Sequence, residues 1–303
     1  MTRLGIVINP TAGRGRGRTR GHQVIDVLTR RGHTVVNLSG PSIDQAAERA
    51  RQGVVEGLDA LIVVGGDGTM HLGANIVAGT SLPLGIVAAG SGNDLARGLG
   101  LPRHDINRAV AAIEHGLTEG PRSIDAVQVG SPSQAVREWY VGALSAGLDA
   151  AINARANAIR WPRGSARYVR AVVSELRVFT PYGYRVTTDD GVWESLGTLV
   201  AAANGPLIGG GVRIAPAAIF DDGLLDVVVA GPFTRSGALR IFPGMYLGRH
   251  VRHPAVEVIR TRSVLIEPTR HGAPPPDAFA DGERIGALPL HAEVHPGALR
   301  ILV

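Results

Sequence analysis

The apolar run Leu58-Asp59-Ala60-Leu61-Ile62-Val63-Val64, followed at once by Gly65-Gly66-Asp67-Gly68-Thr69, decides how this chain is read. An apolar run of that length bounded by glycine reads as a buried strand, and the residues after Thr69 read as a helix. At such a junction glycine lets the backbone approach an anion closely, and the first turn of the helix presents free N–H groups to it. Asp67 sets a carboxylate among those amides, which suits a metal-bridged or ribose-bound nucleotide better than a bare anion. Standing alone, the segment would read equally well as a plain turn.

Working outward, the first 120 residues alternate strand-like and helix-like stretches. Leu4 to Ile8, His33 to Leu38, Ala60 to Val64 and Leu84 to Val87 read as strands. Thr19 to Arg31, Ile43 to Glu56, the stretch after Thr69 and the one reaching Ala109 to His115 read as helices. That alternation predicts a Rossmann-like parallel α/β domain over residues 1–124, whose ligands gather at the carboxyl ends of the strands. Three glycine-bearing loops occupy such ends: Asn9 to Gly17, Gly65 to Thr69 and Ala89 to Asp94.

From Asp125 onward the segments become short, alternating and broken by Gly, Pro and Asp. Ala126 to Val129, Glu138 to Leu144, Tyr184 to Thr188, Leu196 to Ala203, Leu225 to Val229, Val256 to Ile259 and Val264 to Ile266 predict an antiparallel β-sandwich or open barrel over 125–290. A helical exception lies near Ala150 to Phe179. The C-terminal strand within 291–303 is free to return to the first domain.

Composition narrows the chemistry. With 45% hydrophobic and 19% charged residues the chain is a folded protein, expected in the cytoplasm, since no apolar run approaches the roughly 20 residues that span a bilayer. Cysteine is absent, which excludes disulfides, thiolate catalysis and Cys-based metal sites. All 31 basic residues are Arg. Without Lys there is no Walker A loop, no protein-kinase strand lysine and no Schiff base. A net charge of +5 favours anionic partners such as nucleotide or anionic phospholipid. Few aromatic residues and no basic-aromatic motif argue against nucleic acid.

The loop Asn9-Pro10-Thr11-Ala12-Gly13-Arg14-Gly15-Arg16-Gly17 offers dinucleotide-type glycines, but the second strand ends Val36-Asn37-Leu38-Ser39 with no acidic residue for a ribose diol. Its arginines suit a flap over phosphates. In Gly90-Ser91-Gly92-Asn93-Asp94, the Asn and Asp read either as helix caps or as part of a nucleotide site.

Asn9 to Gly13, Gly65 to Thr69 and Gly90 to Asp94, in this order, resemble the diacylglycerol kinase catalytic-domain family of lipid kinases, with NAD kinases and phosphofructokinases as distant relatives. Ser145-Ala146-Gly147-Leu148-Asp149-Ala150, Ala203-Asn204-Gly205, Asp221-Asp222-Gly223-Leu224-Leu225-Asp226 and Asp281-Gly282-Glu283 extend the likeness over nearly the whole chain. The segment Asn153 to Tyr168 resembles actinobacterial members in particular.

The resemblance implies an ATP- and Mg²⁺-dependent kinase that phosphorylates a hydroxyl of diacylglycerol or a related lipid, with catalysis in a cleft between the two domains. It implies ATP contacts from Asn9, Pro10, Thr11, Ala12, Gly13, Ser39, Gly65, Gly66, Asp67, Gly68, Thr69, Met70, His71 and Ser91. Asp222, with the carbonyls of Ile219 and Leu224, matches a largely structural Mg²⁺ site. Asp281 and Glu283 would carry the chemistry, one accepting the proton of the acceptor hydroxyl; without the family pattern they read as a surface hairpin. Other acceptors, among them a sphingoid base, ceramide, phosphatidylglycerol or a soluble polyol, and a catalytically weak binding protein are the rival readings.

Relatives usually continue Gly-Gly-Asp-Gly-Thr with Asn-Glu, whereas this chain has His71-Leu72. A bilayer-resident substrate implies transient contact with a membrane surface. Arg160, Trp161, Arg163, Arg167, Tyr168 and Arg170 form one basic-aromatic candidate, and Ile241 to Arg252, with Phe242, Met245 and Tyr246, a second. The sequence leaves oligomeric state open, a homodimer included.

Overall fold

The computed structural model describes residues 2–135, 137–159, 161 and 165–303, with the backbone alone at 14 and 165–168. The chain divides into two compact units, one of residues 1–126 with 295–303, the other of residues 127–294.

The first unit begins β1 (Arg3–Ile8), α1 (Ala12–Gly15), α2 (Gly17–Arg30), β2 (Thr34–Asn37), α3 (Ile43–Val55) and β3 (Ala60–Gly65). It continues through α4 (Asp67–Val77), β4 (Leu84–Ala88), α5 (Asp94–Gly98), α6 (Ile106–Glu119) and the start of β5 (Arg122–Gly130). β1 pairs in parallel with both β2 and β3, and β3 with β4. Every residue of β3 is buried, as a parallel strand covered on both faces requires. The helices supply the cover: Val24 and Leu28 of α2 and Val110 and Ile113 of α6 pack with Leu4, Ile6 and Ile62. From β1 the chain first adds β2 on one side and later β3 on the other. The strand order therefore reverses between β1 and β3, the topological position at which open α/β sheets bind ligands.

The second unit holds β6 (Glu138–Tyr140), β7 (Ala143–Gly147), α7 (Leu148–Ala158), α8 (Ser165–Val178), β8 (Tyr182–Thr188), β9 (Gly191–Gly197) and β10 (Leu199–Ala203). After them come β11 (Leu225–Ala230), α9 (Arg235–Met245), β12 (Val256–Thr261), β13 (Ser263–Pro268), β14 (Ala278–Ala280), β15 (Glu283–Gly286) and the first residues of β16 (Leu290–Leu302). One antiparallel sheet runs β12-β11-β10-β7-β14-β15. In the other, β13 pairs with β8 and with 290–293, and β8 with β9. Two buried tyrosines tie the sheets together: the Tyr140 hydroxyl on β6 donates to the Ala202 carbonyl on β10, and the Tyr184 hydroxyl on β8 donates to Ala146 on β7. Burial pushes both phenols above their ordinary pKa, so each remains a donor. The fold is thus a parallel α/β unit plus an antiparallel β unit of sandwich type, as the alternation and its later breakdown predict.

Two segments depart from the reading. Glu138 to Leu144 is not one strand but β6 and the start of β7, separated at Val141-Gly142. Leu196 to Ala203 likewise spans the end of β9 and all of β10, and the break at Thr198 is fixed by its hydroxyl, which donates to Gly231 and accepts the Phe233 N–H. Among the described residues no helix is long and apolar enough to cross a membrane.

Candidate active site

In the first unit, candidate binding loops gather where β1, β3 and β4 end. Asn9 Oδ1 accepts the Thr11 backbone N–H at 3.0 Å and its hydroxyl at 2.8 Å, folding the loop after β1 into an Asx turn. The Ser39 hydroxyl accepts the Ile8 N–H at 2.9 Å, fixing the end of β2 beside that loop and leaving its own proton to donate. After β3, Gly66 caps α4 without a side chain over the first-turn amides. A Cβ on Gly90 would stand 2.4 Å from Gly66 Cα, so only glycine lets the second and third loops touch.

Asp67 locks that contact. Its carboxylate accepts the backbone N–H groups of Asn93 at 2.8 Å and Asp94 at 2.6 Å, while Asn93, left-handed at φ 56°, bonds both backbone groups of Gly90. Asp67 thereby draws the second and third loops together.

A cavity of about 240 Å³ opens beside these loops, lined by Asn9, Thr11, Ser42, Ile43, Thr69 and Leu72. Thr69 is 2% exposed, and its hydroxyl has no hydrogen-bond partner among the described residues. A buried hydroxyl left unsatisfied costs stability unless a bound group completes it. Leu72, the departure from the family pattern, gives this cavity an apolar wall.

Other expected ATP contacts fall differently. Met70 is 1% exposed and His71 buried, because α4 turns residues 70, 74 and 77 onto the sheet; their side chains belong to the core. Ala12 is buried in α1, and Ser91 is exposed in the third loop. Arg16 folds back on the Gly13 carbonyl at 3.1 Å, and the Arg14 side chain lies outside the described residues. Sequence reasoning missed Arg20, whose guanidinium reaches the Ala88 carbonyl at the end of β4, one helical turn after Arg16.

In the second unit, the candidate catalytic residues lie on a hairpin. Asp281 and Gly282 join β14 to β15 with φ of 51° and 90°, the pair of positive values a two-residue type I′ turn needs. The Asp281 carboxylate accepts the Val141 N–H at 2.9 Å on one oxygen and the Gly142 N–H at 2.8 Å on the other. Those amides are held in turn. Asn204 donates its side-chain amide to the Val141 carbonyl at 2.8 Å, and the backbone N–H groups of Asn204 and Gly205 converge on the Gly142 carbonyl. Glu283 opens β15 with an exposed side chain. Nothing in the local sequence marks Val141 and Gly142; their role comes from a partner 140 and 139 residues away.

The magnesium position diverges from what the resemblance implies. Asp222 Oδ2 is bonded to the Arg260 guanidinium, and Oδ1 accepts the Leu224 N–H at 3.1 Å, while Ile219 is exposed. Arg260 Nε also lies 3.3 Å from Asp226 Oδ1. The Asp222 charge is already compensated by Arg260, so a Mg²⁺ held by Asp222 with the Ile219 and Leu224 carbonyls would compete with that guanidinium. Among the described residues no group of three or more His, Asp or Glu side chains is placed to hold a metal.

Of the first membrane candidate, Arg160, Arg163 and the side chains of Arg167 and Tyr168 lie outside the described residues. Trp161 is 77% exposed, and its carbonyl accepts from Arg170 at 2.7 Å. In the second, Met245 is buried, and Phe242 meets Tyr246 edge to face.

Residues 3–129 match the diacylglycerol kinase catalytic domain, and residues 142–303 match the YegS C-terminal NAD kinase beta sandwich-like domain. A protein of Mycobacterium tuberculosis named diacylglycerol kinase is 35% identical over 97% of this chain and 93% of its own. One from Stenotrophomonas maltophilia, named "Probable lipid kinase YegS-like", is 28% identical over 85% of this chain and 83% of its own. A crystal structure described as a diacylglycerol kinase from Bacillus anthracis superposes with a TM-score of 0.70 at 21% identity, covering 99% of this chain and 96% of that one.

Proposed function

The chain belongs to the diacylglycerol kinase catalytic-domain family of lipid kinases, and from that premise we propose that it transfers the γ-phosphoryl group of Mg²⁺·ATP to a hydroxyl of diacylglycerol or a closely related lipid. The observation that carries this reading is the Asp281 carboxylate at the tip of the β14–β15 hairpin, aimed by the backbone amides of Val141 and Gly142.

An alcohol attacks phosphorus poorly until it loses its proton, while the phosphoryl group needs alignment and charge compensation. In this reading Asp281 takes the acceptor's proton, the alcohol oxygen bonds to the γ-phosphorus, and the bond from that phosphorus to the bridging oxygen breaks, leaving ADP. Glu283 orients the acceptor, or exchanges roles with Asp281. Asn9, Thr11, Ser39, Gly65, Gly66, Gly68 and Thr69, with the amides of α4, hold the nucleotide, and the cavity walled by Leu72 and Ile43 takes its less polar part. The Mg²⁺ in the reaction arrives on the nucleotide as substrate.

Diacylglycerol resides in the bilayer, so the proposal includes transient docking on anionic membrane. Trp161 and the arginines of α8 are the elements that would touch it.

The test is transfer of labelled γ-phosphate from Mg²⁺·ATP into mixed micelles carrying diacylglycerol, ceramide, sphingosine or phosphatidylglycerol. Label in diacylglycerol that vanishes in Asp281→Asn is expected, and comparison with Glu283→Gln identifies the base. Label in a different lipid would replace the acceptor; ATP binding without transfer to any lipid would remove the reading.

A further inference from the structure

At the Asp222 position we propose that the Arg260 guanidinium is the permanent counter-cation, and that this chain stabilises the turn leading into β11 without a divalent ion. The inference rests on the kinase-family reading, which is what places a structural Mg²⁺ at Asp222 in relatives.

Its geometry begins with strand register. Asp226 on β11 and Arg260 on β12 are direct antiparallel partners. Asp226 is only 4% exposed, and a buried carboxylate demands a compensating charge. Arg260 supplies one through Nε, 3.3 Å from Asp226 Oδ1, while Nη2 of the same planar group bonds Asp222 Oδ2. One guanidinium thus bridges two carboxylates with donors fixed relative to each other, a task for which a flexible ammonium is poorly shaped. The remaining Asp222 oxygen accepts the Leu224 N–H across Gly223, whose φ of 72° makes the turn.

A Mg²⁺ ion arriving at Asp222 would have to expel the guanidinium and would meet its like charge while doing so. It would also have to shed water, which this small ion does reluctantly. In this chain the Mg²⁺ requirement of turnover therefore reports the nucleotide alone, and the second unit needs no divalent ion to fold.

The experiment uses the full chain without nucleotide or lipid, so its outcome is independent of whether the acceptor has been identified. Thermal unfolding is followed in EDTA and in millimolar Mg²⁺, and retained metal is measured after desalting. The wild type is expected to show the same Tm in both and to retain no Mg²⁺. Arg260→Gln leaves two carboxylates facing each other, and its Tm in EDTA is expected to fall by about 5 °C. Mg²⁺ should recover much of that loss, although it does nothing for the wild type; a fall without recovery still supports Arg260 as the cation and shows only that Mg²⁺ cannot replace it. A wild-type Tm that drops by several degrees in EDTA, one Mg²⁺ retained per chain, or an Arg260→Gln variant as stable as the wild type in EDTA would each overturn the proposal. If Arg260→Gln does not fold, Arg260→Lys keeps the charge without the fork and gives the same comparison, and the wild-type arm stands by itself.

Discussion

Asp67-Gly68 in the first unit and Asp281-Gly282 in the second are the same dipeptide, and each carboxylate takes two backbone N–H bonds of 2.6–2.9 Å. Their partners separate them. Asp67 reaches 26 and 27 residues along the chain to the start of α5, so its bonds join two loops at one edge of the parallel sheet. Asp281 reaches back 140 and 139 residues to the break between β6 and β7, so its bonds aim a carboxylate that sits at the tip of a hairpin. The same Asp-Gly pair opens a helix in one unit and turns a hairpin in the other; what its carboxylate does depends on which amides the fold delivers to it. The first aspartate is read as structural and the second as chemical.

The largest effect that this contrast predicts is at Asp281. Asp281→Asn keeps an oxygen for one amide and loses the base, so kcat should fall by about 10²–10⁴ while ATP affinity stays near the wild type. Equal kcat would collapse the distinction, because both aspartates would then be structural.

Gly142→Ala breaks the aim and leaves the base in place. A Cβ there would lie 2.7 Å from Asp281 Oδ1, so the carboxylate must move. A displacement of that kind costs up to about 10² in kcat, with a smaller change in KM. Unchanged kcat would mean that the amides do not set the direction of the carboxylate.

At Asp67 the signature should reverse. Asp67→Asn weakens charge-assisted bonds worth roughly 1.5–3 kcal/mol together, lowering Tm and ATP affinity in parallel, with kcat at saturating ATP changed little. A loss of turnover at unchanged Tm would move Asp67 from the structural to the chemical class.

The same contrast explains what the sequence made legible. The parallel unit is local in its logic: glycine-bearing loops follow β1, β3 and β4, so the strands and the order of those loops could be placed from neighbours. The β unit is not. Val141 and Gly142 look like the middle of a strand until Asp281 arrives, and Arg260 looks like a surface residue until β12 pairs with β11. The glycine-rich motif names consecutive residues, but α4 turns the side chains of Met70 and His71 inward, which the motif alone does not reveal. Arg20 was missed because an arginine in an amphipathic helix carries no mark of the carbonyl it will reach.

A third aspartate sharpens the comparison from outside it. Asp149, in the first turn of α7, is buried and accepts the Ser145 hydroxyl on Oδ2. Burial raises its pKa above the ordinary value of 3.8, outweighing the hydrogen bonds from Ser145 and from the backbone at Ala150 and Asp149 that lower it. Between the ordinary and the raised value the folded protein binds more protons than the unfolded chain. Stability attributable to Asp149 is therefore fully present below the ordinary carboxylate pKa and is lost as pH rises through the folded one, by about 1.4 kcal/mol for each unit of upward shift. Asp149→Asn cannot ionise and should not show that loss. Denaturant unfolding of the two proteins from about pH 4 upward should give curves that diverge, the wild type weakening relative to the variant. Parallel curves would show that the Ser145 and backbone bonds support the charged form fully, and Asp149 would then join Asp67 and Asp281 as a carboxylate that its amides satisfy.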